Sequence, residues 1–198
     1  VIAGVQGLSG ELAEHLATVS DLTTALDAAI ADLDRVAAEA GKLTGDGLKV
    51  REALAARRAI VPIVSRYADL KRERDAMDFA DQMALAARLA EQFPVIGAIE
   101  RSRFKAVLLD EFQDTSEAQL RLLARLFVAE GEPVPVTAVG DPHQSIYGWR
   151  GASATTLAQF RTVFHDDAPA AVLPLATSWR NDAAILAAAN TISAPLRE

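Results

Sequence analysis

"VLLDEFQDT", residues 107–115, sets an apolar run directly against Asp110 and Glu111 and then adds Gln113, Asp114 and Thr115. The run, which begins at Ala106, reads as a short buried strand that leaves the core and ends on adjacent carboxylates. In parallel α/β sheets, ligands gather beyond the carboxyl ends of the strands, where strand-end side chains point at them. Two neighbouring carboxylates there repel each other and lose hydration, so they are best tolerated beside a cation. A Mg²⁺ ion bound through one carboxylate and phosphate oxygens fits, leaving the other carboxylate to take a proton from water. The plain alternative is a solvated, helix-capping pair after a buried strand, and the Asp-Glu pair alone does not separate the two.

The flanking sequence supplies the rest of a sheet. A helix-patterned segment from about Ser116 to Glu130 leads to a second apolar, β-branched run, "VPVTAVG" at 134–140. Strand, helix, strand implies a parallel pair with a crossover. "AAVLPL" (170–175) is expected to be a third strand and "NDAAILAAANTI" a closing helix. The first half is helical throughout. Ser20 is expected to cap a helix striped by Leu22, Leu26, Ile30, Leu33 and Ala37, which Gly41 ends. After the loop "GKLTGDG", a second helical zone runs from about Arg51 to Arg74, with Pro62 forcing a break or a new first turn. Asp78 reads as the N-cap of a third helix that stops before Pro94. The expected fold is α/β, a parallel sheet preceded by a helical region.

The second strand end decides the character of the first. "VGDPHQSIYGWRGAS" (139–153) packs Asp141, Gln144, two aromatics and Arg150 into a turn where a core needs none of them. Tyr147 and Trp149, either side of Gly148, offer flat faces on which bases can stack, and Arg150 can meet phosphate or another ring. Aromatics alone more often fill a core; beside Arg150 and Gly148, just after a strand end, the stacking reading prevails.

Composition sets outer bounds. With 198 residues and 51% hydrophobic side chains the chain can bury a core of one or two domains. The absence of cysteine excludes disulfides and thiolate metal sites, and no apolar run approaches the roughly 18 residues of a membrane span. With no basic leader ahead of an apolar stretch, the expected location is cytoplasmic. The net charge of -7 is uneven: residues 51–105 hold eleven basic and eight acidic side chains, whereas both flanks are acidic. A basic helical face is more often solvated than bound to nucleic acid, so charge does not choose a partner. The histidines His15, His143 and His165 are scattered without metal-ligand spacing, with His143 read as a plain turn residue ahead of the alternative, a contact to nucleotide or DNA. Asp69-Leu70-Lys71 has the spacing of a nuclease half-site but lies in a helical segment without a partner Pro-Asp, which disfavours a metal nuclease.

"LLDEFQDT", "VGDPHQSIYGWRGA" and "LATSWRNDAAILAAAN" resemble, in order and at suitable spacing, motifs II, III and IV of superfamily 1 DNA helicases of the UvrD/Rep/PcrA type, including the RecB-like and AddA-like branch. "MDFADQM" (77–83) is similar to the shorter upstream motif of that family. The resemblance covers residues 77–198, and the first 70 residues fit only loosely, as part of a helical 1B-type insertion. It implies a RecA-like P-loop NTPase motor: 1–76 as part of the insertion, 77–169 as the C-terminal part of motor domain 1A, and 170–198 as the start of domain 2A. ATP and Mg²⁺ are the implied cofactors. Single-stranded DNA, duplex junctions, the rest of the helicase chain and an attached nuclease domain or partner subunit are the implied partners. The implied activity is 3′ to 5′ translocation in DNA repair or recombination.

By the same resemblance Asp110 corresponds to the Walker B aspartate that holds Mg²⁺ and Glu111 to the catalytic base. Gln113 and Asp114 would couple the nucleotide to the neighbouring domain, and Gln144 would sense the γ-phosphate. Tyr147 and Trp149 correspond to residues that stack on single-stranded DNA, with Arg150 beside them. Arg180 would reach the γ-phosphate across the cleft. Ser178 and Trp179 depart from the Asn and Tyr usual before that arginine. No Gly-x4-Gly-Lys-Ser/Thr loop is present: in "AGKLTGDG" position 36 is Val where glycine is required, and Leu43 follows Lys42 where a hydroxyl must reach Mg²⁺. The expectation is therefore an internal fragment, inactive alone. The alternative is a catalytically silent, helicase-like binding subunit, against which the intact Asp110, Glu111 and Gln144 argue.

Overall fold

Thr18, not Ser20, starts the first long amphipathic helix. In the computed structural model, which describes residues 1–128, 134–148, 156–164 and 170–196, its hydroxyl accepts from the Asp21 N–H at 3.2 Å while the Asp21 carboxylate accepts from the Thr18 N–H at 2.7 Å. That reciprocal pair is a capping box, and Ser20 lacks the acidic partner three residues on. The helix, α2 (Val19–Ala40), follows α1 (Ile2–Glu14) and ends at Gly41 with φ 78°, a left-handed conformation that glycine adopts without a Cβ penalty. The expected stripe is the packed one: Leu26 is buried, and Leu22, Ile30, Leu33 and Ala37 are half-buried.

Pro62 does not break the next helix. α3 runs unbroken from Gly45 to Glu73, capped by the Thr44 hydroxyl. Pro62 sits on its solvent side, where water can serve the carbonyl that the missing N–H leaves unbonded, while Val61 and Val64 beside it are buried. Helix α3 lies antiparallel on α2, and two forked contacts mark the register: Arg51 donates to both oxygens of Asp34, and Arg58 to both oxygens of Asp27. Packing against α2 and α1 keeps continuous what local propensity would break. Val5 and Leu8 of α1 meet Val64 of α3 in a small core that Leu12, Leu22, Ile60 and Tyr67 complete.

Asp78 caps α4 (Phe79–Gln92) as its sequence predicts, in a second capping box with Asp81. Helix α5 (Pro94–Arg103) begins on Pro94, which needs no N–H at a first helical position. Then come β1 (Val107–Leu109), α6 (Glu117–Phe127) under a Ser116–Gln119 capping box, β2 (Val136–Ala138), α7 (Thr156–Val163) and α8 (Ala183–Ser193). β1 and β2 pair in parallel with Val107 opposite Val136 and Leu109 opposite Ala138. One face of this sheet packs on a core of Phe112, Leu120, Phe160 and Phe164. Phe160 and Phe164 stack at 4.7 Å between ring centroids, and Phe112 meets Phe160 edge to face at 5.3 Å.

The architecture among the described residues is thus mostly helical, around a two-stranded parallel sheet. Residues 170–175 form neither strand nor helix, so the expected third strand is absent: a strand needs a neighbour to take its backbone hydrogen bonds, and none pairs with this segment. The closing helix is present as α8. No described helix is long and apolar enough to cross a membrane.

Candidate functional site

Both strands deliver their C-terminal residues to the same end of the sheet. The Val139 N–H donates to the Leu109 carbonyl at 2.8 Å and the Phe112 N–H to the Val139 carbonyl at 3.0 Å, which prolongs the ladder past the strands and ties the two loops together. Between those bonds lie Asp110 and Glu111. Glu111 has φ 50° and ψ 38°, a left-handed conformation that a non-glycine residue takes only under constraint from its surroundings.

The constraint comes from both sides. Asp110 Oδ1 accepts from the Glu111 N–H at 3.0 Å. After Glu111 the chain closes a 3₁₀ turn over Phe112–Asp114, in which the Asp114 N–H donates to the Glu111 carbonyl at 2.9 Å. Phe112 drops into the aromatic core and Gln113, 1% exposed, turns back beneath the loop. Gln113 Nε2 donates to Glu111 Oε2 at 2.7 Å, and Gln113 Oε1 accepts from the Asp141 N–H at 3.0 Å. The Ser145 hydroxyl donates to the Gln113 carbonyl at 3.2 Å. One buried amide therefore joins the Glu111 carboxylate to the loop after β2.

Asp141 organises that second loop. Its Oδ1 accepts from the His143 N–H and its Oδ2 from Gln144 Nε2, each at 2.9 Å, over the 3₁₀ turn Pro142–Gln144. The Gln144 amide, then the His143 N–H and the nearby His143 side chain, hold the Asp141 carboxyl below its ordinary value of 3.8 against a small opposing effect of burial. His143 is an exposed turn residue, as expected.

A groove of about 430 Å³ opens at this end, walled by Asp110, Glu111, Asp114, Thr115 and Gln119 and, from α4, by Met83. Asp114 Oδ1 is buried there without a hydrogen-bond partner among the described residues. No cluster of three or more His, Asp or Glu side chains suited to a metal is present among the described residues. Among the described residues no hydrogen bond reaches Asp110 Oδ2, which fits a cation held by one carboxylate plus oxygens from a ligand and water, the usual Mg²⁺ arrangement.

The structure thus brings Asp110, Glu111, Gln113, Asp114, Asp141 and Gln144 to one end of the sheet. Tyr147 follows on the same loop, 36% exposed. Trp149 and Arg150 lie outside the described residues. Arg180 is exposed on the segment before α8, and no described hydrogen bond or ion pair joins it to the carboxylates. Beside it Ser178 Oγ contacts Asn181 Oδ1 at 3.4 Å, and Trp179 is 93% exposed. Asp69 of the discarded half-site contacts Arg72 in α3, and Lys71 pairs with Asp78 and Asp81, so the two do not share a site. Sequence reading missed Met83, which carries no local mark of its place in this site. Asp141 was read with the second strand end, and the structure adds what it does there, holding the loop through His143 and Gln144.

The chain is similar in sequence to known helicases. The profile of the UvrD/REP helicase N-terminal domain matches residues 11–165. The ATP-dependent DNA helicase UvrD1 of Mycobacterium tuberculosis (strain ATCC 25618 / H37Rv) is 33% identical over 141 residues, covering 69% of this chain and 18% of that protein. The DNA helicase II of Escherichia coli (strain K12) is 39% identical over 119 residues, 59% of this chain and 15% of that protein. The RecBCD enzyme subunit RecB of the same strain is 33% identical over 142 residues, 71% of this chain and 11% of that protein. The matched part of the chain therefore spans under a fifth of the length of these relatives.

Proposed function

Because this chain belongs to the UvrD/REP helicase N-terminal domain family, we propose that it is part of the motor of an ATP-dependent DNA helicase or translocase. The observation that carries the reading is the Gln113 bridge, which places Glu111 and the loop of Gln144 on one hydrogen-bonded frame. A hydrolytic site needs this: a base held against water and a sensor held against the phosphate that leaves, at a fixed mutual distance.

In this reading Asp110 holds Mg²⁺ on a nucleotide, and the ion supplies charge neutralisation to the phosphates. Glu111, with Oε2 on Gln113, presents Oε1 to the attacking water and takes its proton. Gln144 leaves Asp141 to meet the γ-phosphate. Gln113 and Asp114 transmit that change, and Arg180 comes across from a neighbouring motor domain. Tyr147 and Trp149 stack on bases of single-stranded DNA with Arg150 on the backbone. The sheet is read as part of a RecA-like domain spanning 77–169 here, with 1–76 belonging to an inserted helical domain and 170–198 opening the second motor domain. Support comes from Leu108, 79% exposed on the face of a parallel sheet, a type of sheet ordinarily covered on both sides. Movement 3′ to 5′, a role in repair or recombination and a cytoplasmic location follow from the family resemblance.

The phosphate-cradling loop is not among these 198 residues, so the chain alone is expected to hydrolyse no ATP. Phosphate release with single-stranded DNA, Mg²⁺ and ATP tests this. Turnover by the isolated chain at about 1 per second or above, within the range of working enzymes, would reject the placement of the site.

A further inference from the structure

Beside the packing of α1 on α4, an ion cluster ties the helical arm α1–α3 to the start of α4, the helix that walls one side of the acidic groove. Lys71, near the end of α3, has a side chain only 12% exposed. Its ammonium reaches Asp81 Oδ2 at 2.6 Å and Asp78 Oδ2 at 3.0 Å, at the start of α4, and Ser9 Oγ of α1 at 3.3 Å. The Tyr67 ring centroid lies 4.8 Å away. The three N–H donors of the ammonium thus have three oxygen partners on two other helices. Burial disfavours the charged form of Lys71, but the bonds to Asp81 and Asp78 outweigh it and hold its pKa above the ordinary 10.5. The same two carboxylates form the capping box that begins α4, so the lysine grips the helix at the residues that start it.

A half-buried ion cluster is a poor source of stability, since well-packed apolar groups often serve as well; what it can fix is register. Helix α4 has a register that matters. Met83, two residues beyond Asp81, walls the groove of Asp110, Glu111 and Asp114. At 3.6 residues per turn, positions 81 and 83 lie about 200° apart around the axis. Lys71 therefore holds one side of the first turns of α4 while the other side faces the groove.

We propose that Lys71 is a positioning residue for the acidic groove: by gripping Asp78 and Asp81 it sets α4, and with it Met83, against Asp110 and Glu111, so that the helical arm and the groove move as one body. The inference rests on the proposed function only for what the groove receives; the clamp itself does not depend on it.

The chain has two methionines, Met77 and Met83, so methyl-¹³C methionine labelling of the full chain gives two signals, assigned by Met83→Leu. The Met83 signal is expected to respond to Asp110→Asn, as a reporter of the groove. Lys71→Leu is expected to shift and broaden it, Asp81→Asn to move it in the same direction, and Lys71→Arg, which keeps the cation, to leave it near its original place. Should Lys71→Leu fail to fold, Asp81→Asn and Lys71→Arg decide. An unmoved Met83 signal in folded Lys71→Leu or Asp81→Asn, even with a lowered melting temperature, would mark the cluster as structural only and overturn the proposal. A Met83 signal that moves as expected, alongside ATP hydrolysis in the parent protein that does not depend on Glu111, upholds the clamp while removing the function proposed for the groove.

Discussion

Gly140 lies so close to Gln113 that a Cβ at position 140 would stand 2.5 Å from Gln113 Oε1, with the amide nitrogens of Gln113 and Phe112 at 3.2 and 3.3 Å. Glycine is required here by contact: the loop after β2 passes directly over the buried amide that bridges it to Glu111. The Gln113 side chain, 1% exposed, has no room to yield without breaking one of its bonds.

Gly140→Ala is accordingly expected to cost about 1–3 kcal/mol, the usual range for overpacking a filled site, read by urea denaturation. Gln113→Ala removes the obstructing oxygen, so the double variant should be less destabilised than the two single costs added together. Additive costs would mean that the contact does not constrain the loops.

In the parent protein Glu111→Gln should keep nucleotide and Mg²⁺ binding and lose a factor on the order of 10² to 10⁴ in hydrolysis, the typical worth of a positioned base. The glutamine can still accept from Gln113 Nε2, so the loop should stay in place. Nucleotide affinity and single-turnover hydrolysis measured on the same sample separate binding from chemistry; near-normal turnover would remove Glu111 from its role.

The Lys71 cluster predicts a pH window. Burial raises the Asp78 pKa, but its bonds from the Asp81 N–H and Lys71 outweigh that and leave it below 3.8. A lowered carboxylate contributes stability above its unfolded value, lost as pH falls through the lower folded one. Lys71 is raised above 10.5, so its contribution is complete below that value and lost as pH climbs through the higher folded one. The melting temperature of the chain should therefore exceed that of Lys71→Leu by a constant margin at intermediate pH. The margin should narrow below about pH 3.8 and above about pH 10.5. A margin that does not change with pH would show that the lysine contributes packing alone.

Tyr147→Ala in the parent protein should weaken single-stranded DNA binding by about 1–3 kcal/mol, the usual loss for one base-aromatic stack. DNA stimulation of ATP hydrolysis should fall with it, while the DNA-free rate holds because Asp110, Glu111 and Gln144 are untouched. Unchanged DNA affinity in a folded variant would take Tyr147 out of the binding surface.

Whatever is settled within a few residues was legible in the sequence. The stripe of α2, the Gly41 stop, the Asp78 cap and the strand end at Asp110 each follow from side-chain periodicity or from a hydrogen bond spanning three or four positions. Even there, Thr18 displaced Ser20 because the box needs Asp21 at the right spacing. Tertiary structure decided the remainder, because the partners lie far apart along the chain. Helix α3 passes through Pro62 because α1 and α2 pack along it, and residues 170–175 are no strand because no described neighbour takes their backbone bonds. Gln113 meets Asp141 across 28 positions, and Lys71 meets Ser9 across 62. A lone glutamine or lysine carries no mark of such a partner; only folding brings the second group within reach, and the low-dielectric interior makes the bond matter.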